Sequence, residues 1–223
     1  METLAEVRFH NKSNRRIEHY GVTYGVPLPE GALDVHDVDA LAMELPDGDL
    51  VPVQPKITQR WPDGSVRWAV CSFEMPVDPN EEGILNLIGG AEVSDGAGLT
   101  VEEDEEGVTV SSPRLEVRIP RGEFTLFSSY KVDGRRMVIP GGDIVVEDVD
   151  GKQYCASSCP NPEVDVREKG PRKVVVVASG QHTAGDGESM LDYRVRYTFR
   201  PHDPCVKLSY MMNNREEPER GVF

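Results

Sequence analysis

Residues 54–68, QPKITQRWPDGSVRW, hold the densest mixture of aromatic and charged side chains in the 223-residue chain. Trp61 stands just before a Pro-Asp-Gly turn, where an exposed indole can stack on the face of a sugar ring. Asp63 and Arg67 can hydrogen-bond sugar hydroxyls, and Arg60 and Arg67 form a small basic patch that could pair with a uronate carboxylate. The same residues have an architectural reading. A Trp beside Pro-Asp-Gly often covers a hairpin end, and an Asp in that setting closes the turn on its own backbone.

A second constellation is Cys155 and Cys159 followed by His202 and Cys205. Three thiolates and an imidazole would satisfy a tetrahedral zinc, yet the intervals do not match the tight knuckles of structural zinc sites. Cys155 and Cys159 could instead form a local disulfide or stay free. With Cys71 the chain has four cysteines, too few for a disulfide scaffold at this length, and they do not fix the redox compartment.

Other catalytic signatures are missing. There is no HExxH, no G-x-S-x-G and no phosphate-cradling glycine loop, and the five histidines are scattered. The acidic run Glu102 to Glu106 reads as a solvated turn. No residue is assigned a catalytic role, no metal is assigned, and nothing in the sequence calls for a cofactor.

The elements that must position these residues are strands. Turn chemistry recurs in PDGD (46–49), PDGS (62–65), DGAG (95–98), VDGR (132–135) and VDGK (149–152). Between the turns, Tyr193, Val195, Tyr197 and Phe199 alternate with Arg194, Arg196 and Thr198, and Leu115, Val117 and Ile119 alternate with Glu116 and Arg118, the period of a half-buried strand. Val174 to Val177 is an unbroken β-branched run that suits a strand buried on both faces. Residues 34–45 read as a short helical turn followed by a strand into the PDGD hairpin. Seventeen prolines leave almost no other window for a stable helix. The fold class is therefore all-β with minimal helix. A boundary falls in the Gly- and acid-rich stretch 88–112, either as a linker or as two long hairpin turns on one body.

Thirty-nine acidic against 24 basic residues give a net charge of −15. That sign repels nucleic-acid phosphates and anionic lipid, so neither nucleic acid nor membrane is expected as a partner. No apolar run approaches the roughly 20 residues of a spanning helix, and METLAEVRFHNKSNRR lacks the apolar core of a signal peptide. The expectation is a soluble chain, cytoplasmic unless the full-length protein carries an export signal.

Three blocks carry a family resemblance. GVTYGVPLPEGAL presents Gly25, Pro27, Pro29 and Gly31; LAMELPDGDLVPVQ presents Asp47, Gly48, Val51, Pro52 and Gln54; RWPDGSVRW spans 60–68. Together they resemble the N-terminal β region of exo-rhamnogalacturonan lyase-like proteins. VREKGPRKVVVVASGQH and MLDYRVRYTFRPHDPCVKLSYMM are similar to that family's second set of strands. The resemblance implies a RIFT-type swapped-hairpin barrel over residues 1–90 and a sandwich-like antiparallel sheet region over 91–223, with one continuous domain 1–223 as the alternative. It further implies that β-elimination on a pectic polysaccharide belongs to a helical toroid downstream, so this chain is expected to be a non-catalytic accessory domain whose partner is a downstream catalytic domain of the same polypeptide. An autonomous carbohydrate-binding module and an assembly module without a sugar ligand are the competing expectations. The polar end REEPERGVF fits a fragment or a trimmed chain.

Overall fold

The computed structural model describes residues 1–94, 96, 98–137 and 142–214. Parts of the DGAG turn, at Asp95 and Ala97, and the whole of the REEPERGVF end lie outside these residues. The chain divides into two compact units: Met1–Gly98 together with Gly170–Lys173, and Leu99–Lys169 together with Val174–Phe223. No helix among the described residues is long and apolar enough to cross a membrane.

The first unit contains β1 (Glu2–His10), β2 (Ile17–Pro27), β3 (Leu41–Glu44), β4 (Leu50–Pro52), β5 (Gln54–Arg60), β6 (Val66–Val77) and β7 (Glu82–Gly89). They form an antiparallel sheet in the order β1-β7-β3-β4 and a second in the order β2-β6-β5. One core fills the space between them. Val7, Met43, Leu85 and Leu87 come from the first sheet and Val26, Val66, Ala69 and Phe73 from the second, all nearly or fully removed from water. The 3-10 turn Val38–Ala40 leads into β3, as the segment 34–45 suggests.

Turn residues set where these strands reverse. In the PDGD hairpin Asp47 Oδ1 accepts from the Asp49 N–H and Gly48 takes φ +90°; in PDGS Asp63 Oδ1 accepts from the Ser65 N–H and Gly64 takes φ +89°. A side chain with a Cβ is strained in that left-handed region, so glycine is required at both tips.

The second unit opens with a meander of β8 (Thr100–Glu103), β9 (Gly107–Ser111), β10 (Leu115–Pro120), β11 (Ser129–Val132) and β12 (Arg135–Arg136). Its other sheet runs β13 (Val145–Glu147), β14 (Gln153–Cys155), β16 (Val174–Thr183), β17 (Ser189–Phe199) and β18 (Lys207–Asn213), with β15 (Glu163–Glu168) also paired to β16. Val108, Val110, Val117 and Ile119 of the meander pack with Val174, Val176, Val195 and Tyr197 of the other sheet. The Val174–Val177 run is buried throughout, Val174 and Val176 within the core cluster, on a strand with ladder partners along both edges. On β17 burial alternates with the sequence pattern, Tyr193, Val195, Tyr197 and Phe199 inward and Arg194 and Arg196 outward.

Candidate functional site

Two sequence blocks of the first unit close on each other around Trp61. Leu28 N–H donates to Arg67 O at 2.9 Å and Val66 N–H to Leu33 O at 2.9 Å, joining the Pro-rich segment to the 60–68 hairpin. The Trp61 indole N–H donates to Leu28 O at 2.9 Å. Ser65 completes the junction: its hydroxyl donates to Asp63 Oδ1 at 2.6 Å and accepts from the Gly31 N–H at 2.9 Å. These bonds from the Ser65 hydroxyl and backbone hold the Asp63 carboxyl below its usual range. Asp63 thus closes the turn, and Trp61 is half-buried with its polar edge engaged.

What faces outward is a recess of about 540 Å³ lined by Pro27, Leu28, Thr58, Gln59, Trp61, Arg67 and Trp68. The Arg67 guanidinium lies 4.6 Å from the Trp61 ring centroid, a cation–π contact. Trp68 is 40% exposed. Arg60 ends β5 on the surface, and neither it nor Asp63 is among the lining residues.

Trp68 is the lining residue that the sequence candidates left out. From Trp68 to Val77 strand β6 alternates regularly, with Ala69, Cys71, Phe73, Met75 and Val77 in the core and Trp68 on the outer face. The register shift between Gln59 and Arg60 skips Arg67, a bulge at which Arg67 is exposed as well, and the Thr58 hydroxyl donates to Trp68 O at 3.2 Å. Behind Trp68 lies Gly25, where a Cβ would sit 2.7 Å from the indole nitrogen. The glycine lets the ring lie close against β2.

The cysteine and histidine set of the second unit is not brought together. Cys155 is a half-buried residue of β14 and Cys159 is buried in the core; both are free thiols, so the local disulfide does not form. Cys159 Sγ accepts from the Gln181 N–H at 3.4 Å, and it occupies, with the Tyr193 hydroxyl, the space that a Cβ on Gly180 would need. Cys205 faces solvent and His202 is half-buried. Among the described residues the ligand atoms of Cys155, Cys159, His202 and Cys205 do not gather around a common point. Core packing claims Cys159.

The acidic run is less simply solvated than its composition suggests. Asp104 accepts from the Gly107 and Glu106 N–H groups and from Arg118 at 2.7 Å, while Arg121 pairs with Glu103 at 2.9 Å. The Arg118 contact is the main cause of an Asp104 carboxyl held below its usual range. These bonds shape the β8–β9 turn and offer no cleft.

With this geometry in place, comparison with known families is decisive. Residues 4–86 match the PcRGLX-like N-terminal RIFT barrel domain, and residues 99–222 match the PcRGLX-like protein central beta sandwich domain. The chain belongs to the PcRGLX-like family. The barrel match covers all seven strands of the first unit apart from their outermost residues, and the sandwich match takes in both sheets of the second. No curated protein matches the chain.

Proposed function

We propose that this PcRGLX-like chain is the non-catalytic β portion of a polysaccharide lyase-like protein, supporting a downstream catalytic domain of the same polypeptide and touching its carbohydrate chain through the recess at Trp61, Arg67 and Trp68. The family match to consecutive barrel and sandwich domains supports the accessory role. The observation that carries the sugar contact is the exposed Trp68 ring beside the Arg67 guanidinium in an open recess of about 540 Å³. A flat apolar face next to a fork of donors suits a pyranose, whose C–H face stacks while its hydroxyls or carboxylate hydrogen-bond. Arg60, at the end of β5, would extend the basic rim, whereas Trp61 and Asp63 hold the hairpin in shape.

Titration of the chain with rhamnogalacturonan oligosaccharides, followed by calorimetry, tests this. Binding that weakens about ten-fold or more in Trp68→Ala and in Arg67→Gln supports it. Release of an unsaturated uronate product by the chain alone would overturn the non-catalytic role. Tight binding by the chain alone would favour a free-standing sugar-binding module. An assembly role has its own support in β18, where Leu208, Tyr210, Met211 and Met212 are all exposed on a terminal strand. A stable oligomer in light scattering, with no saccharide bound, would select that reading.

A further inference from the structure

The second unit leaves one strand edge unguarded. Its edge strands are β8 and β12 of the meander and β13, β15 and β18 of the other sheet. A free edge presents a row of backbone donors and acceptors that invites another strand, and charge or brevity is what normally protects it. β8 carries Glu102 and Glu103, β15 carries Glu163, Asp165, Arg167 and Glu168, and β12 and β13 are two and three residues long. β18 has neither defence. It runs seven residues, KLSYMMN, with one charge and no carboxylate in a chain of net charge −15. Among the described residues its ladder partner is β17 alone.

The side that β18 turns toward the core is bare as well. Directly opposed residues of a ladder share a face. Leu208, Tyr210 and Met212 stand opposite Tyr197, Val195 and Tyr193, three inward residues of β17. They continue the core face of the sheet, yet they are 40%, 39% and 53% exposed. The core cluster takes in Tyr193, Val195 and Tyr197 and no residue of β18. Tyr210 keeps its hydroxyl on the buried His182, which fixes the strand in place.

A second copy of this strand matches the pattern. A two-fold axis normal to the sheet pairs two β18 strands antiparallel, and the core face of one then continues the core face of the other. In the register centred on Tyr210, Leu208 meets Met212 of the second copy and Tyr210 meets its own counterpart, an aromatic pair directly opposed. Lys207 meets Asn213 and not another lysine. Beyond that Asn213, in the same row of the outer face, lies Asp192 of β17, of opposite charge. All three core-face positions pair apolar with apolar, and no like charges meet.

We propose that two copies of this chain associate through antiparallel β18–β18 pairing, which joins their six-stranded sheets across a two-fold axis. Seven residues a side fall short of the roughly 20–30 of a stable interface, so the pair is weak and concentration-dependent. The surface shares no residue with the Trp68 recess; it rests on the assembly reading of β18 and gives that reading a partner and a register.

Sedimentation equilibrium of the chain tests this. The average mass should rise from one chain at micromolar concentration toward two at millimolar, and added salt should strengthen the pair by screening the repulsion between two acidic chains. Leu208→Asp/Met212→Asp sets carboxylates opposite each other twice and should abolish association. Leu208→Lys/Met212→Asp sets opposite charges there and should associate about ten-fold or more tightly than the variant with two acids, a rescue specific to this register. Both positions are exposed, and thermal melting checks that each variant is folded. Amides of β18 that point away from β17 should resist hydrogen exchange only where the pair forms. A single-chain mass up to millimolar concentration, an open-ended series of oligomers, or protection of those amides in the single chain by a covering segment of its own would overturn the proposal. An oligomer that survives the two acids would also overturn it, while leaving an assembly role through another surface standing.

Discussion

The side-chain amide of Gln54 is bonded to the backbone of Lys173, 119 residues away, in both directions: Nε2 donates to Lys173 O at 3.0 Å and Oε1 accepts from the Lys173 N–H at 2.8 Å. The Arg172 N–H also donates to Oε1 at 2.8 Å. The glutamine that closes the VPVQ block therefore satisfies the backbone of the GPRK segment, which joins β15 to β16 yet belongs to the first compact unit. Gly170 makes room for it, since a Cβ there would sit 2.4 Å from Gln54 Cδ.

Replacing Gln54 by Ala removes three hydrogen bonds and leaves part-buried amides without their partner. The expected cost is about 2–4 kcal/mol by urea denaturation. Gly170→Ala should also destabilise the protein, through the clash with the Gln54 side chain. In the double variant the clash disappears, so the second substitution should cost clearly less than it does alone. Strict additivity of the two would show that the pair is not coupled.

Trp61 and Trp68 should separate by phenotype. Trp61→Phe removes the indole donor to Leu28 O and weakens the stack under Arg67, and is expected to lower stability by about 1–2 kcal/mol. Trp68→Ala acts on an exposed ring, so its effect should fall on saccharide affinity more than on the unfolding midpoint. Gly25→Ala should displace the Trp68 indole and change its fluorescence, because the new methyl would meet the ring nitrogen at 2.7 Å.

In the second unit, the fully buried His182 places Nδ1 3.0 Å from Leu191 O and Nε2 2.7 Å from the Tyr210 hydroxyl. The carbonyl can only accept, so Nδ1 carries the proton and, in the neutral ring, Nε2 accepts from Tyr210. Tyr210→Phe strands a buried acceptor and should cost about 1–3 kcal/mol, read from the denaturation midpoint. An unchanged midpoint would show that water replaces the phenol.

Stability should fall in alkali. Burial pushes the Cys71 thiol up to about 12 from 9.0. The folded value lies above the unfolded one, so the stability this neutral group contributes is whole below pH 9 and is lost as pH rises from there through 12. At pH 10 the loss from Cys71 alone is about 1 kcal/mol. Burial also pushes the Tyr193 and Tyr197 phenols above their ordinary value of 10.0, which steepens the decline at higher pH. Urea midpoints across pH 8 to 10 should drop, and less steeply in Cys71→Ala. At pH 8 a thiol reagent should modify exposed Cys205 while buried Cys71 and Cys159 stay protected until unfolding.

Local pattern made most strands legible. The alternation of 193–199 and the β-branched run 174–177 report the number of buried faces directly, because a pleated strand presents its side chains with period two. The Asp-Gly turns were legible for an equally local reason, an Asp side chain that bonds two residues ahead and a glycine that accepts positive φ. The outward face of Trp68 was legible in principle, since Ala69, Cys71, Phe73, Met75 and Val77 mark the inner face and Trp68 falls on the other. The exposure of Arg67 beside it was not, because it depends on a bulge in the β5–β6 ladder. The burial of Cys159 was not legible, because sequence spacing says nothing of which thiol the core will enclose.

The sequence by itself determined the all-β class, the turn positions and, through its three N-terminal blocks, the family, since each is written in residues close together along the chain. Tertiary structure alone decided that Gln54 meets Lys173, that Trp61 is held by Leu28, and that Tyr210 reaches His182. Those relationships join segments whose separation carries no local signal. They form only when the apolar faces of distant strands are buried together and the polar groups around them must find partners or remain in water.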